Sequence, residues 1–259
     1  MKQNVLYIQG IKLEKELPKN NYLNGLSVIK NLRKSNGIGF KKPITFFVGE
    51  NGIGKSTLIE AIAVRCGFNP EGGTKNYNFS TKQTHSALCD YLTVLKGFNY
   101  PFYGYFLRAE SFYNTTSYMD YLDMERVSDN DYVQYLRKQD VAENFCSNHN
   151  MSHGESFLKV VSDFSGNGLY ILDEPEAALS PTGIMKLMCY MRELVSKGAQ
   201  FIISTHSPIL ITMPDADIYQ ITQKGFDKLP YDKTEHYMIS KNFLNNPERM
   251  LKYLFEENN

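Results

Sequence analysis

The chain has 259 residues with 28 basic and 28 acidic side chains, which balance to a formal net charge of zero. This balance excludes the class of strongly basic nucleic-acid binders, although it leaves room for a local basic patch. No apolar stretch approaches the roughly 20 residues that cross a bilayer, and the first residues lack the apolar core of a signal peptide. We therefore expect a cytoplasmic protein with no integral membrane segment.

Strand-like and helical segments alternate along the chain, which predicts an α/β fold whose central sheet is mainly parallel. A short amphipathic helix is expected to begin at Pro247, with Asn246 as its cap. No linker divides the chain, so we treat residues 1–259 as one domain. The predicted strands cover residues 5–13, 44–48, 104–107, 169–172, 200–204 and 217–221.

A phosphate-binding loop is indicated directly after the apolar run at 44–48. The sequence from Gly49 to Thr57 matches the P-loop pattern, and residues 58–64 continue with helical periodicity. Phosphate then lies at a helix N-terminus, where free backbone N–H groups favour an anion, Lys55 adds a positive charge and the Ser56 hydroxyl can hold Mg²⁺. An accidental glycine-rich turn is the weaker alternative, because it leaves the preceding strand and the following helix unexplained. The residues expected to bind the nucleotide are Glu50, Asn51, Gly52, Ile53, Gly54, Lys55, Ser56 and Thr57.

A second candidate anion site begins at Ser152. Ser152 and Glu155 have the spacing of a capping box before an apolar helix, which is an ordinary structural feature. A capped helix N-terminus can also bind an anion, such as the γ-phosphate of ATP held by a second copy of the chain. The two interpretations are compatible, and the spacing alone does not establish the second.

Two adjacent acids end the apolar run at 169–172. Asp173 can bind Mg²⁺ or its water shell, and Glu174 can orient or deprotonate the attacking water, as phosphoryl transfer beside a P-loop requires. The alternative is a pair of solvated carboxylates at a strand end. The role of Glu176 is left open, since it could simply be a surface acid.

A histidine follows the predicted strand at 200–204. In a parallel sheet, His206 then lies at the edge where the phosphates are expected. A lone histidine is usually structural, but this position favours a contact with the γ-phosphate or with the attacking water. His206 is therefore the second candidate catalytic residue, beside Glu174.

Taken in order, these segments resemble the head of the ABC-type ATPases. Within that superfamily the chain is similar to small, stand-alone AAA-family ATPases, which are related to the heads of chromosome-maintenance (SMC) and recombination ATPases. Residues 49–57, 152–155, 169–174, 178–180 and His206 correspond to the Walker A, signature, Walker B, D-loop and switch-histidine elements. The closer match rests on phrases at 67–73, 107–112, 152–157 and 174–181, and it extends to 234–237 and 246–251.

The resemblance implies a P-loop NTPase fold of ABC-head type, with a mostly parallel central sheet flanked by helices. An N-terminal antiparallel sheet and a small helical lid at about residues 111–152 are also implied. ATP and Mg²⁺ are the implied cofactors, held in a head-to-tail homodimer between Walker A of one subunit and the signature helix of the other. Ser152, Gly154 and Glu155 would then contact the nucleotide of the partner copy.

Two positions depart from the transporter pattern. His153 stands where transporters usually carry glycine, and no glutamine follows the strand at 104–107, where the family has its Q-loop. Glu110 is the candidate substitute and the third candidate metal ligand, because a carboxylate can reach Mg²⁺ or its water as an amide oxygen does. A salt bridge between Glu110 and Arg108 is the alternative.

The leading functional hypothesis is Mg²⁺-dependent ATP hydrolysis by a homodimer that acts as a switch on a partner protein or nucleic acid. One alternative is the nucleotide-binding subunit of an ABC transporter, against which His153 and Glu110 count. Another is an ATP-gated DNA-binding component of genome maintenance or defence, which the neutral net charge does not support. A kinase is disfavoured by the signature segment and His206.

Overall fold

The computed structural model describes residues 6–75, 86–109 and 153–256. Glu110, Ser152 and the expected lid at 111–152 lie outside the described residues. The described strands are β1 (Ile8–Leu13), β2 (Ile38–Gly39), β3 (Ile44–Val48), β4 (Leu92–Lys96), β5 (Tyr103–Arg108), β6 (Gly168–Asp173), β7 (Gln200–Ser204), β8 (Ala216–Ile221) and β9 (Phe226–Lys228). The described α-helices are α1 (Ser27–Ser35), α2 (Lys55–Arg65), α3 (His153–Ser162), α4 (Pro181–Ser196), α5 (Glu235–Asn245) and α6 (Pro247–Glu256).

The central sheet has six strands in the order β5-β6-β7-β3-β8-β9. Its first five strands are parallel, and β9 runs antiparallel to β8. Every residue of β3, β6 and β7 is buried, which explains their continuous apolar sequences, since both faces of a parallel sheet are covered. The register pairs both Phe47 and Asp173 with Ser204, so these three strands end at the same edge of the sheet.

Helices pack on both faces of this sheet, because successive side chains of a strand point to opposite sides. On one face, Phe47, Ile171 and Ile202 pack with buried residues of α1 and α2. On the other face, Phe46 and Phe201 pack with buried residues of α3 and α4. The result is a three-layer α/β arrangement with one hydrophobic cluster on each side of the sheet.

A separate antiparallel sheet has the strand order β2-β1-β4. Its first two strands approach each other closely at Gly10, where a Cβ atom would lie only 2.4 Å from the carbonyl oxygen of Ile38. Only glycine fits such an approach without moving the backbone. The expected N-terminal antiparallel sheet and the mostly parallel central sheet flanked by helices are both confirmed.

The strands predicted at 44–48 and 200–204 are confirmed with the same bounds. Those predicted at 104–107, 169–172 and 217–221 are also present and are slightly longer, whereas β1 begins at Ile8 rather than at residue 5. The last helix begins at Pro247, as predicted. The strands β2, β4 and β9 were not predicted.

Candidate functional site

The P-loop lies between β3 and α2, in the predicted strand-to-helix position. Gly49, Gly52 and Gly54 have φ angles of 148°, 77° and 103°, a region that L side chains rarely adopt. No atom lies within 4 Å of the place where a Cβ of Gly52 would stand, so the loop borders open space at this point. This arrangement fits a phosphate group at the start of α2, where backbone N–H groups and the helix dipole favour an anion.

Lys55 is buried at the first position of α2, with a relative exposure of 4%. Its Nζ donates hydrogen bonds to the carbonyl oxygens of Gly49, at 2.7 Å, and Glu50, at 2.9 Å. Burial lowers the pKa of Lys55, while the nearby carboxylates of Glu174 and Asp173 act in the opposite direction. An ammonium group has three N–H donors, so one remains to reach a phosphate oxygen.

Asp173 ends β6 and is buried. Its carboxylate accepts hydrogen bonds from the hydroxyls of Ser204 and Ser56, and its Oδ2 lies 3.6 Å from Nε of Arg108. Burial raises the pKa of Asp173 to about 6, although these three neighbours favour the ionised form. A bound cation would favour the ionised form further.

Ser56 and Asp173 therefore offer two neighbouring oxygen ligands. Mg²⁺ at a phosphate site commonly takes one or two protein oxygens and completes its shell with phosphate and water. Within 6–75, 86–109 and 153–256, no group of three or more His, Cys, Asp or Glu side chains could hold a metal ion. The pair thus fits a cation that arrives together with a phosphate ligand.

Glu174 follows Asp173 in a left-handed backbone conformation, with φ 50° and ψ 53°. Non-glycine residues adopt this region at a cost in free energy, and such residues concentrate at functional sites. The backbone N–H of Glu174 donates to the carbonyl of Ser204 at 3.1 Å. The carboxylate oxygen Oε1 lies 3.5 Å from Nε2 of His206, and both side chains are partly exposed.

His206 lies just beyond β7, at the edge of the sheet that carries the P-loop and the two acids. The preceding Thr205 donates its backbone N–H to the carbonyl of Phe47 at 3.1 Å, which ties this turn to β3. Burial, followed by the positive charge of Lys55, lowers the pKa of His206, and Glu174 opposes this effect. The structure thus brings Lys55, Glu174 and His206 together, as expected from the order of the strands.

Glu176 is not an isolated surface acid. Its carboxylate accepts a hydrogen bond from the Thr205 hydroxyl at 2.8 Å and another from the backbone N–H of His206. Burial raises the pKa of Glu176, and these hydrogen bonds oppose the shift. In the sequence, the only signal for Glu176 is its position two residues after Glu174. Its contacts with Thr205 and His206 could not be predicted, because they depend on how this turn faces the end of β7.

An ion pair between Glu60, on the helix that follows the P-loop, and Arg108 was also not predicted from the sequence. Glu60 of α2 is buried, and its Oε2 accepts a hydrogen bond from Nη1 of Arg108 at 2.8 Å. Its Oε1 accepts the backbone N–H of Ser86 at 2.7 Å. Because Arg108 also faces Asp173, these contacts connect α2 to the ends of β5 and β6. Whether Glu110 binds a metal remains a prediction, since Glu110 lies outside the described residues.

The first turn of α3 carries two of the predicted signature residues, Gly154 and Glu155. A Cβ at Gly154 would lie 3.0 Å from the carbonyl oxygen of Ala178. The helix start therefore packs closely on the short 3₁₀ turn Pro175–Ala178, which follows Glu174. Ser152, the first residue of the predicted signature, lies outside the described residues.

Two family models match the chain, and both are AAA domains. The model described as "AAA domain" matches residues 25–110. The model described as "AAA domain, putative AbiEii toxin, Type IV TA system" matches residues 150–212. The first match contains the P-loop, and the second contains Asp173, Glu174 and His206. These two matches, which together include the P-loop, both acids and His206, support an AAA-type P-loop ATPase. The matched domains indicate nucleotide binding and ATPase activity.

Solved structures similar to this ATPase include cbiO1 from Clostridium perfringens, part of the ABC transporter complex cbiONQ. It is 17% identical, with 96% of this chain and 99% of that chain covered and a TM-score of 0.40. A nucleotide-free ATP-binding cassette from an ABC transporter is also 17% identical, with 93% and 96% covered and a TM-score of 0.42. No curated protein matches the ATPase.

In the part of the chain that the structure describes, no helix has the length and apolar character needed to cross a membrane.

Proposed function

We propose that this ATPase hydrolyses Mg²⁺-ATP at a site completed by a second copy of the chain, and that the resulting opening and closing act as a switch on a partner protein or nucleic acid. The observation that carries the proposal is the contact between Glu174 and His206, whose side chains approach to 3.5 Å beside the P-loop. Phosphoryl transfer needs a group that orients water and positive charge near the phosphates. In this proposal Glu174 supplies the first and Lys55 the second, at one edge of the sheet.

Each group has a distinct role in this proposal. The backbone N–H groups from Glu50 to Thr57 and the ammonium group of Lys55 bind the phosphates. The oxygens of Ser56 and Asp173 hold Mg²⁺, which neutralises charge on the β- and γ-phosphates. Glu174 orients the attacking water and accepts its proton, and His206 contacts the same water or the γ-phosphate.

The proposed second half of the site is the start of α3. Gly154 and Glu155 lie in its first turn, and backbone N–H groups at a helix start can bind the γ-phosphate of the partner copy's ATP. Support comes from the close packing of Gly154 on Ala178, because this contact fixes the helix start beside the turn that carries Glu174. Each chain then contributes one P-loop and one helix start to a head-to-tail dimer.

The test is the mass in solution of Glu174→Gln, measured by light scattering after size exclusion, with and without saturating Mg²⁺-ATP. Without its water-orienting carboxylate the protein is expected to bind ATP and hydrolyse it very slowly, so ATP bound across the interface stabilises the dimer. The matched control is Lys55→Ala/Glu174→Gln, which lacks the phosphate-binding ammonium and is expected to stay monomeric. A Glu174→Gln protein that binds ATP yet remains monomeric would contradict the homodimer, and a transporter subunit or another chain would then be the alternative source of the second half-site.

A further inference from the structure

His236 lies in the first turn of α5, and a hydrogen bond joins this turn to the end of β8. The backbone N–H of Glu235 donates to the side-chain oxygen of Gln220 at 2.9 Å. Thr234 is fully buried, and its hydroxyl donates to the carbonyl of Tyr231 at 2.7 Å. Since Gln220 pairs with Val48, the residue before the P-loop, α5 begins beside the nucleotide site.

The ring of His236 packs against the ring of His206. Their centroids are 5.0 Å apart and the planes are inclined by 79°, which is an edge-to-face arrangement. Aromatic pairs favour this geometry at such distances. His206 therefore has a ring neighbour contributed by a helix more than two dozen residues farther along the chain.

The orientation of the His206 ring depends on its packing contacts. The second torsion of a histidine side chain is broad, so no rotamer well fixes the ring plane by itself. Among the described residues, the buried Nε2 of His206 has no hydrogen-bond partner of good geometry, and its long 3.5 Å contact with Oε1 of Glu174 constrains the ring only weakly. The backbone of His206 is held by Glu176, which leaves the ring as the adjustable part.

We propose that His236 is a positioning residue for ATP hydrolysis, because its ring holds the His206 imidazole in the orientation in which Nε2 faces Glu174. This inference rests on the proposed function, in which His206 contacts the attacking water or the γ-phosphate. His236 itself touches neither. It acts through the edge-to-face contact, so an aromatic ring of similar size is sufficient at this position.

The experiment compares kcat and KM for Mg²⁺-ATP in wild type, His236→Ala, His236→Phe, His206→Ala and the double alanine variant. His236→Ala is expected to lower kcat roughly three- to tenfold with KM changed less than about twofold, the scale of one lost aromatic contact. His236→Phe restores most of kcat because it keeps the ring. In the His206→Ala background, His236→Ala produces no further loss of kcat, since a residue that acts only through His206 has nothing left to position.

The matched control is Ile239→Ala, which changes an exposed side chain of the same helix. Thermal unfolding of every variant checks that a loss of kcat does not come from loss of fold. A wild-type kcat in His236→Ala, an equal loss in His236→Phe, or additive losses in the double variant would each overturn the positioning role. Those results leave the proposed function intact if His206→Ala has a strongly lowered but measurable kcat, whereas a fully active His206→Ala overturns the proposed role of His206 and the inference together.

Discussion

Glu176 accepts a hydrogen bond from the backbone N–H of His206. The same carboxylate accepts the hydroxyl of Thr205 at 2.8 Å, so it spans the start of the turn that follows β7. Because Glu176 itself belongs to the turn that begins at Glu174, its side chain joins this turn to the backbone of the turn that carries His206. The relative position of Glu174 and His206 therefore depends on the hydrogen bonds of Glu176 as well as on the contact between their own side chains.

Glu176→Ala is expected to loosen this connection and to lower kcat by about tenfold or more. The substitution leaves the backbone N–H of His206 without its acceptor, and hydrogen bonds to a charged group contribute about 1.5–3 kcal/mol. Glu176→Gln keeps one acceptor oxygen and should have a smaller effect. Steady-state hydrolysis at saturating Mg²⁺-ATP provides the measurement. A wild-type kcat in Glu176→Ala would mean that Glu174 and His206 are positioned without this contact.

Arg108 is expected to be important for stability because its partner Glu60 is buried. Removal of one member of a buried ion pair leaves an uncompensated charge, with a cost of about 3–5 kcal/mol. Since the Arg108 side chain is 24% exposed, we expect Arg108→Met to lower the free energy of unfolding by about 2–4 kcal/mol. Urea unfolding of the nucleotide-free protein measures this change.

The control for this prediction removes the buried charge as well. Glu60→Gln keeps an oxygen that can accept the backbone N–H of Ser86 but carries no charge. Arg108→Met/Glu60→Gln should therefore recover much of the stability lost in Arg108→Met alone. If the two substitutions were simply additive, Arg108 would not act by compensating Glu60.

The main features of the fold were accessible from the sequence because the buried parallel strands are continuous apolar runs. The strands at 44–48 and 200–204 have unmistakable composition and buried faces on both sides. The strand β2 has two residues and β9 has three, which is too short for any periodicity to appear. The strand β4 is partly exposed and, within the part of the chain that the structure describes, pairs with β1 alone, so its pattern is weak.

The candidate site was predictable where chain order alone brings residues together. Lys55, Glu174 and His206 each follow a strand of one parallel sheet, and such strands end at the same edge. The contacts of Glu176 and His236 depend on side-chain directions and on the docking of α5, which no local pattern encodes. Their contributions became visible only in the folded chain.

The thiol of Cys66, at the end of α2, is expected to react slowly at neutral pH. Cys66 is partly buried, and its desolvation raises its pKa to about 11, so only about one thiol in a thousand is ionised at pH 8, against about a quarter for an ordinary cysteine. Iodoacetamide should therefore alkylate Cys66 roughly two orders of magnitude more slowly in the native protein than in the unfolded chain. Peptide mapping by mass spectrometry gives the rate at this residue.

The pH dependence supplies the check on Cys66. Below a pKa of about 11, the thiolate fraction rises nearly tenfold with each pH unit, so the native rate should rise about a hundredfold between pH 8 and 10. In the unfolded chain the rate should rise only about fourfold and then level off. A native profile that levels off near pH 9 would show that burial does not shift this thiol.

Gly52 and Gly54 are expected to respond differently to alanine. At Gly54, with φ 103°, a Cβ would lie 2.6 Å from Cγ1 of Val28, so Gly54→Ala adds a clash to backbone strain and should cost about 2–4 kcal/mol of stability. At Gly52, with φ 77°, the Cβ meets no atom within 4 Å, and Gly52→Ala should cost only about 1 kcal/mol. Urea unfolding without nucleotide separates the two variants.

Nucleotide affinity provides a second test of the position of Gly52. The methyl group of Gly52→Ala enters the open space assigned to the phosphates, so ATP should bind at least about tenfold more weakly, a loss larger than its small stability cost explains. Gly225→Ala is the matched control, because its Cβ also meets no atom within 4 Å but lies in the turn between β8 and β9. It should leave both stability and ATP affinity unchanged. If Gly52→Ala bound ATP as tightly as Gly225→Ala, the space beside Gly52 would not be where the phosphates lie, and the phosphate position assigned to this loop would have to be abandoned.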